Sequence, residues 1–349
     1  MTFVTILFGT RPEYLKLAPL IKIFEKKKDL AFQVIYVKQH TNIIDIPYTN
    51  DYIQIQIEDS TENRLEHLGS QILSKLPEFL STTTHLIIQG DTASVFYSGL
   101  LAFQKQIKVI HVEAGLRTYD ISQPFPEEGY RQMISRITSY NFTPHEDSST
   151  LLTQEKCPGK LFCVGNTIID LIKSYNHTVR LGDTVLITFH RRENWCHMEE
   201  FIKQVNILVT EYSYLKFKWF LHPNKQLQAS VKKSIHSSVL LEEPLNHYDF
   251  SKEIATSYCL LTDSGGLQEE ASFYGKQCVV LRFSTERSHI GKPYIHTIKS
   301  FSDVSSTFKL IEQKLLEPCY VYGNGNSSEQ IYDILKSQIE LESPGSPSA

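Results

Sequence analysis

The chain has 349 residues, of which 41% are hydrophobic and 21% charged, and its formal net charge is -4. This length fits two domains of ordinary size, and the composition excludes a disordered or fibrous protein. The charge balance argues against nucleic acid or an acidic membrane as a partner, and no stretch approaches the ~18 apolar residues that cross a bilayer.

The apolar start of the chain resembles an export signal only superficially. It lacks a basic leading segment, and Arg11 and Glu13 interrupt it after a few residues, so we predict no signal peptide. The six cysteines lack metal-ligand spacing and are predicted to be free thiols in a reducing cytosol. We therefore expect a cytoplasmic protein without a bound metal.

Short apolar runs alternate with segments of helical periodicity, which favours parallel sheets with helices on both faces. In the first half the predicted elements are Val4–Phe8, Tyr14–Lys26, Gln33–Val37, Leu65–Ser74, His85–Gln89, Ser94–Gln104, Val109–Val112, Glu127–Thr138 and Tyr140–Thr143. The alternation restarts after Asn166, with elements predicted at Val185–Thr188, Glu199–Glu211, Lys218–Leu221, Asn224–Ser234, Val239–Leu241, Tyr248–Thr256, Tyr258–Leu261, Leu267–Phe273 and Cys278–Leu281.

Two such series in succession predict an α/β protein with two doubly wound, Rossmann-like domains that face a shared cleft. The first domain is assigned to residues 1–166 and the second to residues 167–328. A terminal helix is expected at 329–342, followed by a disordered tail, rich in Ser and Pro, at 343–349.

Polar residues collect in the loops that follow the predicted strands, where ligands bind in doubly wound sheets. Several have an ordinary structural explanation: Asp91 could cap a helix, Glu113 could form an ion pair, and Glu127 could favour a helix dipole. The run His190-Arg191-Arg192 is harder to explain in this way, because crowded basic groups repel one another unless an anion is present. The Ser264-Gly265-Gly266 turn before a helix offers backbone N–H groups to a phosphate.

Eight segments of the chain carry a resemblance when they are taken together and in order: GTRPEYLKLAPLI, QGDTASVFYSGLLAF, HVEAGLRT, PFPEEGYRQMISRI, VGNTIID, HRREN, LTDSGGLQEEA and TERSHI. This ordered set resembles the non-hydrolysing UDP-N-acetylglucosamine 2-epimerase family. The resemblance implies a glycosyltransferase-B-like architecture with an interdomain cleft, a cytoplasmic homodimer, and reversible inversion at C2 of a UDP-linked 2-acetamido sugar. It implies no cofactor and no metal.

Carried over by position, the resemblance also implies site residues. The catalytic set would be Lys16, Asp91, Glu113, Glu127, Arg131 and His190. The UDP-binding set would be Arg11, His190, Ser264, Gly265, Gly266 and Glu270, the last accepting bonds from the ribose hydroxyls. The terminal helix would cross back onto the first domain.

The chemistry of the reaction fits these residue types. The C2 proton is not activated by a neighbouring carbonyl, so the resemblance implies that a base removes it while UDP leaves from C1. Asp91, Glu113 and Glu127 supply acid and base candidates, and Arg11, His190 and the Ser264–Gly266 backbone can stabilise the leaving diphosphate. The sequence does not decide which carboxylate serves which face of C2.

One region departs from the family. After Gln39-His40 the family continues with a long helix, whereas this chain reaches Pro47 within a few residues. That part helps hold an allosteric substrate molecule in the family, so Gln39 and Arg64 are interpreted as remnants of such a site, and we expect weak or absent activation by substrate. A further departure is Ser288-His289, where a proline and an acidic residue are usual.

Other functions stay open at this point. A hydrolysing epimerase would release UDP and free N-acetylmannosamine, and an epimerase could act on a 6-deoxy sugar. A glycosyltransferase of the same fold would transfer the sugar to an acceptor, and a UDP-sugar sensor would not react at all. The three acidic site candidates exceed what transfer or binding requires, which favours the epimerase.

Overall fold

The structure is a computed structural model, and it describes residues 2–38, 52–58, 63–283, 287 and 289–342. The chain forms two compact units. The first contains the chain up to Leu171 and again from Tyr322 onward, and the second contains Ile172–Val321. The polypeptide therefore leaves the first unit once and returns to it near its end.

Each unit contains one parallel sheet. The strands of the first sheet are β1 (Phe3–Phe8), β2 (Ala31–Lys38), β3 (Ile53–Gln56), β4 (His85–Gln89), β5 (Lys108–Val112), β6 (Tyr140–Thr143) and β7 (Lys160–Cys163). Those of the second are β8 (Thr184–Thr188), β9 (Lys216–Phe220), β10 (Leu240–Glu242), β11 (Cys259–Thr262), β12 (Gln277–Val280) and β13 (Ile295–Thr297). The central strands are buried apolar runs, as expected where helices cover both faces of a sheet.

Helices connect the strands. They are α1 (Arg11–Lys27), α2 (Arg64–Lys75), α3 (Ala93–Gln104), α4 (Glu127–Ile134), α5 (Glu146–Gln154), α6 (Thr167–Ser174), α7 (Met198–Glu211), α8 (Lys225–Ser234), α9 (His247–Thr256), α10 (Gly265–Phe273), α11 (Val304–Phe308) and α12 (Ser327–Glu342). Short 3-10 turns lie at Leu76–Leu80, Arg192–His197 and Phe301–Asp303. Among the described residues, no helix has both the length and the apolar character needed to cross a membrane.

Strand order places the binding edge of each sheet. The first sheet runs β3-β2-β1-β4-β5-β6-β7 and the second β10-β9-β8-β11-β12-β13, so chain direction across the sheet reverses between β1 and β4 and between β8 and β11. In doubly wound sheets, ligands bind at the carboxyl ends of the strands beside such a reversal. The loops that follow β1, β4, β8 and β11 are therefore the expected location of a ligand site.

The predicted fold class is confirmed by these two parallel sheets with interleaved helices. Most predicted elements are present, with boundaries shifted by up to three residues. The sequence assigned no element to β3, β7, β13, α5, α6 or α11, and α4 ends at Ile134, short of the predicted Thr138. The predicted tail at 343–349 lies outside the described residues.

Helix α12 packs on the first unit. Tyr332 and Leu335 are fully buried against a cluster that includes Phe24 of α1, with the rings of Phe24 and Tyr332 in an edge contact at 4.8 Å. Its first turn is capped by Asp170 of α6, whose carboxylate oxygens accept the N–H groups of Ser327 at 3.0 Å and Ser328 at 2.5 Å. An apolar face and a buried cap therefore fix the returning chain.

A buried histidine links β5 to the loop after β4. His111 is 2% exposed, and its Nε2 lies 2.7 Å from the carbonyl oxygen of Gly90. Burial lowers the pKa of His111 from 6.5 to about 4, and the bond to Gly90 opposes this shift. Because the neutral ring must carry its proton on Nε2 to make this contact, it donates to the carbonyl and holds the loop on the sheet.

Replacing the α12 cap should loosen that helix selectively. Asp170→Ala removes both acceptors of the first turn and should lower the free energy of opening α12 by about 1–2 kcal/mol, measured by hydrogen exchange. The matched control is Asp333→Ala, which removes an exposed ion pair of the same helix with Lys27 at 2.7 Å and should cost less than about 0.5 kcal/mol. Equal effects of the two variants would contradict the capping role.

His111 predicts a pH dependence. Below pH 6.5 the unfolded chain takes up a proton on His111, whereas the folded chain does not do so until about pH 4. Stability therefore falls as the pH falls through this window, by roughly 3 kcal/mol. His111→Gln and His111→Phe should both flatten the pH dependence of opening of β4 and β5 in hydrogen exchange, and only Gln keeps a donor for Gly90. A wild-type pH dependence in both variants would contradict the assignment.

Candidate active site

The reversal point of the first sheet is bridged by a buried glutamate. Glu13, in the first turn of α1, accepts the backbone N–H groups of Gly9 at 2.7 Å and Thr10 at 3.2 Å. Its other oxygen accepts the hydroxyl of Thr92, in the loop after β4, at 2.6 Å. Burial raises the pKa of Glu13, and these bonds oppose the shift. The loops after β1 and β4 are thus held together by one side chain.

Glu113 follows β5 in an unusual backbone conformation. Its φ of 66° lies in the left-handed region, which costs a non-glycine residue on the order of 1–2 kcal/mol. Gly115 follows with a φ of 87°, and a Cβ there would lie 2.6 Å from the carbonyl oxygen of Ser148. Gly115 therefore permits a tight turn that another residue at that position would strain, and the strained backbone at Glu113 marks this residue as a functional candidate.

Three donors from three parts of the first unit surround the carboxylate of Glu113, which is 8% exposed. Lys16 Nζ of α1 lies 2.7 Å from Oε1 and 2.6 Å from Oε2. Asn166 Nδ2 donates to Oε1 at 2.9 Å, and Gln89 Nε2 donates to Oε2. Two of the predicted catalytic residues, Lys16 and Glu113, thus form a largely buried ion pair.

A second pair joins Asp91 and Arg131. Arg131 Nε donates to Asp91 Oδ2 at 2.8 Å, and Arg131 Nη1 lies 3.1 Å from the carboxylate of Glu128. Glu128 is fully buried and accepts the backbone N–H groups of Thr118 and Tyr119, each at 3.1 Å. Glu128 therefore anchors the loop after β5, whereas the predicted catalytic residue Glu127 is the partly exposed first residue of α4.

In the second unit a buried aspartate bridges the corresponding reversal point. Asp263, after β11, is fully buried and accepts the backbone N–H of His190 at 3.0 and 3.1 Å and that of Arg191 at 2.9 Å. Asn194 also donates to it, at 3.1 Å. Asp263 thus supplies part of the negative charge that the basic run after β8 requires.

The imidazole of His190 is mostly shielded. Burial lowers its pKa, the nearby carboxylate of Asp263 opposes the shift, and His222 reinforces it. The rings of His190 and His222 lie 5.7 Å apart. The neutral form of His190 is therefore favoured near neutral pH, and it can both donate and accept a hydrogen bond.

Helix α10 begins next to this histidine loop. Ser264 is its N-cap residue, and its N–H donates to Thr262 Oγ1 at 3.1 Å. Apart from its chain neighbours and the backbone of its own helix, no described atom lies within 4 Å of the position that a Cβ would take on Gly266. A phosphate can therefore approach the first turn of α10 closely, where N–H groups and the helix dipole favour an anion.

Glu270 lies further along α10. It is 5% exposed, and its Oε2 lies 3.2 Å from His247 Nε2. The other ring nitrogen of His247 lies 2.9 Å from the hydroxyl of Tyr175. This arrangement places an imidazole beside the carboxylate that the resemblance assigns to ribose.

The other predicted residues lie in separate places. Arg11 is the first residue of α1, and Arg64 is the exposed first residue of α2. Gln39 lies outside the described residues. Arg117, from the HVEAGLRT segment, is buried and forms a bidentate salt bridge with Glu155. Its Nε donates to Oε1 at 2.9 Å and its Nη2 to Oε2 at 2.8 Å, which stabilises the loop after β5.

Sequence reasoning assigned no site role to four residues that organise the site: Glu13, Gln89, Asn166 and Asp263. Glu13, Gln89 and Asp263 lie in loops that the strand pattern had singled out, and Asn166 lies in the VGNTIID segment. A carboxylate bonded to backbone N–H groups leaves no residue pattern of its own. For Glu13, Gln89 and Asp263 the available signal was their position next to the end of a predicted strand, whereas Asn166 had only its place in the VGNTIID segment.

Comparison with known proteins points to one family. The family model described as UDP-N-acetylglucosamine 2-epimerase matches residues 22–336. The Campylobacter jejuni and Bacillus subtilis proteins called UDP-N-acetylglucosamine 2-epimerase are 32% and 33% identical to this chain, each covering 95% of it and 97% and 94% of their own lengths. The structure of UDP-GlcNAc 2-epimerase from Neisseria meningitidis bound to UDP-GlcNAc is 29% identical, covers 97% of this chain and 100% of its own, and gives a TM-score of 0.86. The chain belongs to the UDP-N-acetylglucosamine 2-epimerase family.

Proposed function

We propose that the protein interconverts UDP-N-acetylglucosamine and UDP-N-acetylmannosamine without hydrolysing either. The observation that carries this proposal is the buried Lys16–Glu113 pair, which lies on the loop edge that also carries the Asp91–Arg131 pair. Family membership supplies the reaction, and these two pairs supply acid, base and cationic groups of the kind that it needs.

The second unit supplies groups for UDP. The first turn of α10, at Ser264, Gly265 and Gly266, would donate N–H groups to the diphosphate. His190, favoured as a neutral ring, would donate a further bond, and Glu270 would accept from the ribose hydroxyls. Arg11 would add a positive charge from the first unit. The Neisseria meningitidis relative, whose structure contains UDP-GlcNAc, supports this choice of ligand.

The reaction would proceed by elimination and re-addition. A base takes the C2 proton, the C–H electron pair forms a C1–C2 double bond, and the C1–O bond breaks to release UDP. The resulting 2-acetamidoglucal is protonated on the other face of C2, and UDP returns to C1. Asp91, Glu113 and Glu127 are the proposed acid and base groups. Lys16 and Arg131 are cations that can stabilise the negative charge that develops as UDP leaves.

A hydrolysing epimerase is the alternative closest in chemistry, because it differs only in whether water captures the intermediate. The GTRPE and HVEAG segments, which resemble the non-hydrolysing branch, favour re-addition of UDP. A homodimer, a cytoplasmic location and a hydroxyl rather than a 6-deoxy group at C6 of the sugar stay predictions.

Product analysis tests the proposal. Purified protein incubated with UDP-N-acetylglucosamine and followed by proton and phosphorus NMR should approach a fixed ratio of the two UDP-sugars from either side, with no accumulation of UDP. Accumulation of UDP and free N-acetylmannosamine would select the hydrolysing alternative. No conversion of this sugar or its 6-deoxy analogue would contradict the proposal.

Two variants separate chemistry from binding. Glu113→Gln should lower kcat by at least ~10²-fold, the usual contribution of a general acid or base, while UDP binding measured by calorimetry stays close to wild type. Glu270→Gln is the matched control: it changes a buried carboxylate of the second unit and should weaken UDP binding and raise KM, with a smaller effect on kcat. Near-normal turnover of Glu113→Gln would refute its assignment.

A further inference from the structure

The carboxylate of Glu113 has more partners than its ion pair with Lys16 requires. Gln89, at the end of β4, and Asn166, at the start of α6, both donate side-chain amide N–H groups to it. Each of these residues is 2% exposed. Two buried amides, one before β5 in the sequence and one after it, therefore donate to the same carboxylate.

The orientation of the Asn166 amide is fixed by its other contacts. Its Oδ1 accepts the N–H of Ile168 at 3.2 Å, which leaves Nδ2 for Glu113. Its backbone N–H donates to the carbonyl of Tyr322 at 2.8 Å. The preceding Gly165 has a φ of 90°, and a Cβ there would lie 2.7 Å from that same carbonyl oxygen. These contacts fix the position of the Asn166 backbone and the orientation of its side-chain amide.

The described donors match an ionised carboxylate. Oε1 accepts from Lys16 and Asn166, and Oε2 accepts from Lys16 and Gln89. A carboxylate offers about two acceptor positions on each oxygen, whereas a carboxylic acid would place its own O–H against one of these donors. Loss of the Lys16 contact alone would leave both amide bonds to Glu113 in place.

We propose that Gln89 and Asn166 are positioning residues, which hold Glu113 ionised and in a single orientation so that it accepts the C2 proton. The inference rests on the proposed function for the identity of that proton. The holding of the carboxylate can be tested without turnover. Two amides suit this task because they donate to the carboxylate without carrying a charge that would compete with Lys16 for it.

The test combines a titration with kinetics. Asn166→Leu and Gln89→Leu remove the amide donors while keeping similar side-chain size. The matched control is Asn141→Leu on β6, because Asn141 is fully buried in the same unit and its side chain bonds Thr138 at 2.9 Å. Glutamate labelled with ¹³C at the carboxyl carbon gives a resonance for Glu113, identified by its loss in Glu113→Gln.

We expect Asn166→Leu and Gln89→Leu each to raise the ionisation midpoint of Glu113 by about one pH unit. The acidic limb of the pH profile of kcat/KM should shift to higher pH by the same amount. At the optimal pH, kcat should fall at least ~10-fold with little change in KM. Asn141→Leu should move neither the midpoint nor the limb, even if it lowers stability.

The outcomes separate the two proposals. An unchanged midpoint and an unchanged acidic limb in Asn166→Leu and Gln89→Leu would overturn the positioning role. A raised midpoint in a protein that converts no UDP-2-acetamido sugar would support the holding of Glu113 and would refute the proposed function. A raised midpoint with unaltered kcat and pH profile would overturn the role of Glu113 as the proton acceptor.

Discussion

A buried carboxylate ties together the two central loops at the carboxyl edge of each sheet. Glu13 joins the loops after β1 and β4, and Asp263 joins those after β8 and β11. A buried charge is costly unless hydrogen bonds surround it, and the N–H groups at a strand end otherwise lack partners. The backbone N–H groups give the buried carboxylate its hydrogen bonds, and the carboxylate gives those N–H groups an acceptor. The loops that carry the candidate site residues are therefore held in place without a ligand.

Five acidic residues of the candidate site fall into two classes. Glu13, Glu128 and Asp263 accept backbone N–H groups and thereby stabilise the loops to which these groups belong. Glu113 and Asp91 are paired instead with the side chains of Lys16 and Arg131. Each carboxylate of this second class has a cation beside it, which suits the proposed reaction, in which negative charge moves.

The sequence predicted the α/β class and the long elements because apolar runs such as His85–Gln89 and the periodic helices carry strong signals. It missed β7, which has only four residues, one of them exposed, because so short an apolar run is a weak signal. It missed α5 because only Ser148 and Leu152 of that helix are buried. It placed Lys16, Asp91 and Glu113 by their motifs. It gave no role to Asn166, because the contact with Glu113 arises from strand order and not from proximity in the chain.

In the proposed reaction, C2 of the sugar loses its proton to the protein and regains one from it. Incubation with UDP-N-acetylglucosamine in deuterated water tests this most directly, by NMR of C2 in both recovered UDP-sugars. The account predicts deuterium at C2 of the UDP-N-acetylmannosamine formed. Conversion with the original hydrogen fully retained at C2 would contradict it.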